Sequence, residues 1–205
     1  MPPIILFDFD GVIADSFEVF FKAFTEVCTE MGFKHLNSKE ALLRLFDGNL
    51  LRQLWKAGFP FWRIKGLVRR FEPRIAAENM KIQPFPGMPE LLCELAAVHP
   101  VYIISSNASA HVAAFCARFA IEGIRDMIGS DRETSKVKKI RSVSRRHPGH
   151  VPYYIGDTKG DMIEGNAARA TTVAVAWGWH HLPRLLEGKP DLVAKIGRAS
   201  CRERV

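Results

Sequence analysis

The chain has 205 residues, 47% of them hydrophobic and 25% charged, with a formal net charge of +7. That length buries a sizeable core and fits one domain, or one domain with a small insertion; no run of about 18 apolar residues offers a membrane span, and the N-terminus lacks the regions of a secretory signal, so a cytoplasmic setting without a membrane partner is expected. The positive charge invites a nucleic-acid reading, but residues 196–205 (IGRASCRERV) resemble the in-frame translation of a sequencing-adapter oligonucleotide, and setting them aside as a non-native tail lowers the charge to +5 and leaves no nucleic-acid partner expected.

In chain order, Ile4-Ile5-Leu6-Phe7 reads as a buried strand running into Asp8-Phe9-Asp10-Gly11-Val12-Ile13-Ala14-Asp15-Ser16. Ser16 is the expected cap of a helix carrying Phe17, Phe20, Phe21, Phe24 and Val27 at spacings of three or four, ending near Gly32. Asn37 with Glu40 suggests a capping box for a helix to about Phe46, and Asn49 to Ala57 another, stopped by Gly58 and Pro60. From Phe61 to about Glu78 a longer pattern holds Ile64, Leu67, Val68, Phe71 and Ile75 on one face, with Pro73 expected to kink or end it. Pro84, Pro86 and Gly87 mark a boundary.

Strand and helix then alternate. A helix over Met88–Val98 precedes the strand Val101–Ile104, which ends in Ser105-Ser106-Asn107. Helices over Ala108–Phe119 and Ser135–Arg145, a strand Val151–Ile155 ending in Gly156-Asp157, a helix to about Ala170 and a strand Thr172–Ala176 follow. The expected fold class is α/β, a doubly wound, Rossmann-like parallel sheet. Ligands of such sheets bind beyond the carboxyl ends of the strands, where Asp8, Ser105 and Asp157 all fall.

Asp8 and Asp10 are two residues apart on a strand and project to the same side, where two like charges repel unless a cation lies between them. Asp157 and Asp161, in Gly156-Asp-Thr-Lys-Gly-Asp161, add carboxylates at a second strand-to-helix turn. Hard oxygen ligands of this kind suit Mg2+. Ser105, Ser106 and Asn107 offer donors at a strand end suited to phosphate oxygens, and Lys136 opens a helix as a candidate counter-charge, with Lys138 and Lys139 as competitors. Cys28, Cys93, Cys116 and Cys201 lack ligand spacing and read as reduced thiols.

Together and in this order these features resemble the haloacid dehalogenase-like superfamily over residues 3–195: DxDGxxxDS at Asp8–Ser16, a strand ending in Ser105, Lys136, and GDxxxD at Gly156–Asp161. The stretch 17–83 is similar to the helical C1 cap of the phosphoglycolate phosphatase-like branch, inserted after the first strand into a core of residues 1–16 and 84–195. The resemblance implies a Mg2+-dependent phosphatase acting on a small, phosphoglycolate-like organic phosphate monoester through an aspartyl-phosphate intermediate. It assigns Asp8 as nucleophile and Asp10 as acid and base, gives the metal to Asp8, the Asp10 carbonyl, Asp157 and Asp161, and gives the phosphate to Ser105, Ser106, Asn107 and Lys136. Phe20, where mutases of the superfamily carry a His, argues against a phosphomutase. A phosphonatase using Lys22, Lys56 or Lys65, and a non-catalytic binding protein, are the alternatives.

The cap residues Arg52, Lys56, Arg63, Lys65, Arg69, Arg70 and Arg74 either steer acidic substrates or decorate outer helix faces. Trp55, Phe59, Phe61 and Trp62 either shape a pocket or, the favoured reading, pack within the cap. His180 and His181 are expected at the surface or site edge. Oligomeric state leaves no sequence signal.

Overall fold

The computed structural model describes residues 1–195; the tail from 196 onward lies outside the described residues. Strand β1 (Pro3–Phe7) leads through a tight turn into the two-residue strand β2 (Ala14–Asp15). Four helices follow, α1 (Phe17–Glu30), α2 (Lys39–Leu45), α3 (Leu50–Lys56) and α4 (Ile64–Glu78), before the chain returns through β3 (Gln83–Pro84). The remainder alternates: α5 (Met88–Val98), β4 (Val101–Ile104), α6 (Ser109–Arg118), β5 (Asp126–Ile128), α7 (Lys136–Arg146), β6 (Val151–Gly156), α8 (Lys159–Ala168), β7 (Thr171–Val175), α9 (Leu182–Glu187) and β8 (Leu192–Ala194).

Six strands form one parallel sheet in the order β5-β4-β1-β6-β7-β8. Both faces are covered, so the central strands carry apolar residues at successive positions and the pleat sorts them between two cores. Phe7, Val101 and Ile103 pack with Met88, Leu92, Val112 and Phe115 from α5 and α6. Ile4, Leu6, Tyr102 and Ile104 pack with Ile140 and Val143 of α7 and Ala168 of α8 on the other face. Helices α1 to α4 bury a third cluster of their own, centred on Phe24, Val27, Leu42, Leu54, Phe59 and Leu67. The two chain segments entering and leaving these helices pair with each other, Ala14 opposite Pro84 and Asp15 opposite Gln83 in antiparallel register.

Three local expectations need correction. Ser16 does not cap α1 with its side chain; its hydroxyl is drawn to Asp10 instead. The cap of α2 is Ser38, which accepts from the Ala41 amide, while Asn37 donates to the Thr29 hydroxyl. Pro73 does not end α4, because it lies on the exposed side, where the carbonyl left without a donor can be hydrated. Strand β5, helix α9 and strand β8 were not legible, since elements of three to six residues at the margin of a sheet are too short to show a period. Among the described residues no helix is long and apolar enough to cross a membrane.

Ile103 is fully buried in the second-ranked strand of the sheet and touches the α5–α6 core. Ile103→Ala is expected to cost about 2–5 kcal/mol, read as a lower urea midpoint at unchanged slope.

Candidate active site

The carboxyl ends of β1 and β6 bring three carboxylates together: oxygens of Asp8, Asp157 and Asp161 lie within 4.8 Å of one another, and all three residues are buried. Gly11 makes the approach possible. Its φ is +74°, a region that disfavours side chains, and a Cβ there would overlap the Asp157 carboxylate and press on the Trp179 ring. Gly178 is equally constrained against Asp157 from the other side.

Each carboxylate is fixed differently. Asp161 accepts from the Thr158 amide (3.1 Å) and hydroxyl (2.6 Å) on one oxygen, and from Tyr154 (2.9 Å) and Lys136 (2.6 Å) on the other. Burial works against its charge, but Lys136 and these donors outweigh it and hold the pKa below the ordinary carboxylate value. Asp8 accepts from Lys136 at 2.7 Å, yet burial dominates and pushes its pKa up to about 7. Among the described residues the Asp157 carboxylate receives the Trp179 amide alone, at 2.7 Å on Oδ2, so burial and the repulsion of Asp161 and Asp8 raise its pKa well above the usual range. Lys136 itself is disfavoured by burial, but Asp161 and Asp8 together hold its pKa well above that of a free lysine.

One oxygen, Asp157 Oδ1, is buried and finds no hydrogen-bond partner among the described residues. An unpartnered carboxylate oxygen facing two further carboxylates is the donor set of a hard divalent cation, so the residues present fit Mg2+. Asp10 stands apart from this group: its side chain accepts from Ser16 at 2.7 Å and from the Asn107 amide at 2.8 Å. Burial nonetheless raises its pKa against those two hydrogen bonds.

On the phosphate side the positions separate. Ser105 is buried, and its hydroxyl accepts from the Asn107 amide N–H at 2.9 Å; Ser106 is exposed at the same turn. The Asn107 side chain is turned to Asp10. Of the three lysines, Lys136 reaches the carboxylates, and Lys138 is exposed near Glu133. Lys139 runs beneath the site and donates to the Ser105 carbonyl at 2.5 Å, its pKa lowered to about 8 by burial and then by Lys136.

Helices α1 to α4 roof the site. The Phe46 carbonyl accepts from the Gly160 amide at 2.9 Å, and a Cβ at Gly160 would collide with the backbone of Phe46 and Gly48. His180, expected at the surface or site edge, is 1% exposed beside the Asp157–Asp161 turn: it accepts from the Lys159 amide through Nδ1 and meets the Leu43 carbonyl through Nε2, both at 2.9 Å. Arg184 donates to both oxygens of Asp47 at 2.7 Å. Trp179 fills the seam, its ring against Phe17, Phe20 and Phe46. The packing expected of four cap aromatics holds for Phe59 alone; Trp55, Phe61 and Trp62 are 64%, 68% and 71% exposed. Arg52, Lys56, Arg63, Lys65, Arg69 and Arg70 are exposed too, and Arg74 pairs with Glu26 and Glu30.

A family model described as haloacid dehalogenase-like hydrolase matches residues 5–175. The chain belongs to the haloacid dehalogenase-like hydrolase family. Phosphoglycolate phosphatase of Synechococcus elongatus is 24% identical over 192 residues, covering 91% of this chain and 90% of that one. A haloacid dehalogenase-like family hydrolase from Streptococcus pneumoniae superposes with a TM-score of 0.78 at 26% identity, over 96% of this chain and 94% of that one. A hydrolase from Pseudomonas syringae gives 0.76 at 18% identity, over 94% and 93%, a likeness of fold alone.

Within this haloacid dehalogenase-like site, sequence reasoning missed Tyr154, Ser16 as a partner of Asp10, and the Trp179 amide. Tyr154 carried a readable signal, since a phenol in a central strand has to find a partner. The Trp179 contact joins segments 22 residues apart and carried none.

Asp8 and Asp157 retain protons that the unfolded chain releases near pH 4, so folded protein binds more protons than unfolded over about pH 4–7 and metal-free stability falls as pH rises through that window. Asp161, held low, contributes stability that is lost only below about pH 4. Mg2+ is therefore expected to raise Tm clearly at about pH 8 and little at about pH 5, and Asp157→Asn to flatten the metal-free profile and remove the response, checked by thermal melts.

Proposed function

We propose that this hydrolase is a Mg2+-dependent phosphatase that cleaves small organic phosphate monoesters through an aspartyl-phosphate on Asp8. The observation that carries the reading is the division of labour among buried carboxylates. Asp8 is aimed by Lys136 beside a carboxylate set with an orphaned oxygen, while Asp10 is held separately by Ser16 and Asn107, its pKa raised by burial.

A carboxylate of Asp8 attacks phosphorus, forming a new O–P bond as the bond to the leaving alcohol breaks. Asp10 gives that alcohol its proton. A water then attacks the phosphorus of the acyl phosphate, Asp10 takes up its proton, and the Asp8–phosphorus bond breaks to release inorganic phosphate. Lys136 keeps the Asp8 carboxylate oriented and offsets charge on the transferring group. Asp8, Asp157 and Asp161, with the Asp10 carbonyl, would hold Mg2+, which neutralises phosphoryl charge when bound. Ser105 and the Ser106–Asn107 turn are assigned to the phosphoryl oxygens, with Lys139 bracing the turn from below.

Residues 17–83 serve as the lid of a core made by 1–16 and 84–195, seated by Gly160, His180 and Arg184 so that bulk water is excluded from the acyl phosphate. The phosphonatase alternative finds no support, because Lys22, Lys56 and Lys65 are all exposed on the lid. The protein is assigned a cytoplasmic setting and a small-molecule partner.

Hydrolysis of para-nitrophenyl phosphate is expected to need Mg2+ and to stop on chelation. Asp8→Asn should lower turnover at least ~10³-fold and abolish hydroxylamine-labile phosphate on the acid-quenched protein, whereas Asp10→Asn should cost about 10²–10⁴-fold. Unchanged turnover in Asp8→Asn would sink the mechanism.

A further inference from the structure

A general acid places its leaving group: the departing oxygen must lie within hydrogen-bond reach of Asp10. Asp10 borders a cleft of ≈ 400 Å³, mouth included, whose closed interior has room for about one water. Facing Asp10 are Phe20 of α1, Ile75 and Ala76 near the end of α4, Asn79 just beyond it, Ile82, and His111 of α6. Four of these six are apolar. Among the described residues no lysine or arginine lines the cleft. Arg118 is not among its lining residues; its guanidinium donates to the backbone carbonyls of Asn79 and Ile82 and lies over the Phe119 ring. None of the basic lid residues named above is among the residues lining the cleft.

The charge balance around this cleft is unfavourable to a second anion. Asp10 is the one carboxylate among its lining residues, and Lys136, shared between Asp8 and Asp161, is not among them. A carboxylate carried on the alcohol would be desolvated beside Asp10 and face only Asn79 and His111 as polar partners on the lid side and α6. A small neutral alcohol entering from the mouth of the cleft would set its carbon against Phe20 and Ile75 and a hydroxyl or amide of its own beside Asn79.

We propose that this site selects phosphate monoesters of small, uncharged alcohols and discriminates against esters whose alcohol carries a carboxylate, with Asn79 as the specificity-determining contact. The inference rests on the phosphatase reading, in particular on Asp10 as the acid beside the leaving group. It departs from the activity named for the Synechococcus relative, whose substrate carries such a carboxylate.

The test compares two esters of one shape and different charge, 2-phosphoglycolate and the phosphate ester of glycolamide, on the Mg2+-loaded wild-type protein and on Asn79→Lys. Wild type is expected to favour the amide by about tenfold or more in kcat/KM. Asn79→Lys should shift the ratio toward phosphoglycolate, chiefly by lowering its KM; the Arg118 contact is to the backbone at this position and survives the substitution. Equal or better use of phosphoglycolate by the wild type overturns the selection proposed here while leaving the phosphatase intact. A ratio unmoved in Asn79→Lys removes Asn79 from the assignment. Failure to hydrolyse either ester or para-nitrophenyl phosphate overturns both readings together.

Discussion

Three carboxylates buried around one ammonium set the terms for the whole molecule. Lys136 lies between Asp8 and Asp161 and makes no ion pair with Asp157, so burial and the neighbouring acids raise the pKa of Asp157 and, despite Lys136, of Asp8. Such an arrangement persists only if the surrounding structure over-determines it. The parallel sheet does so by ending β1 and β6 side by side, Phe7 opposite Ile155, and the backbone amide of Trp179 and the side chains of Tyr154 and Thr158 fix what the strand ends leave free. The same three carboxylates are a donor set for a divalent cation.

The segment Gly156–Asp161 serves both layers of the protein. Asp157 and Asp161 face the carboxylate group, while Gly160 between them receives the lid backbone, and the Thr158 side chain caps α8 and braces Asp161. Lid seating and carboxylate placement are thus linked through one turn. Movement of Phe46 and Gly48 away from Gly160 would reach Asp161 through a single residue of backbone.

Much of this could be read from the chain. The apolar runs Ile4–Phe7, Val101–Ile104 and Val151–Ile155 announced the central strands, because strands covered on both faces need no polar alternation. Asp8, Asp157, Asp161 and Lys136 were legible because residues at the carboxyl ends of such strands converge whatever the intervening sequence. Side-chain assignments between neighbours were less so. Ser16 and Asn107 each had a local use, as helix cap and as phosphate donor, and both are found on Asp10 instead, since a buried carboxylate outcompetes those uses. The exposed Trp55, Phe61 and Trp62 defeated a composition argument: aromatic residues suggest burial, but where the lid core is already filled by Phe24, Phe59 and Leu54 there is no room for them. His180 failed in the opposite direction, as its two ring nitrogens match two backbone groups on different layers that no local pattern reveals.

The short ribbon in which Ala14 pairs with Pro84 and Asp15 with Gln83 has a further consequence. It brings the ends of a segment of nearly seventy residues to within about 5 Å of each other, the spacing of an antiparallel pair. A unit whose ends meet can be removed or replaced without stretching what holds it, and its loop-closure entropy is met by two residues of ladder. Helices α1 to α4, with a buried cluster of their own, are therefore joined to the sheet through one short ribbon, and exchange of the helical segment at these four residues leaves the strands of the sheet unstretched.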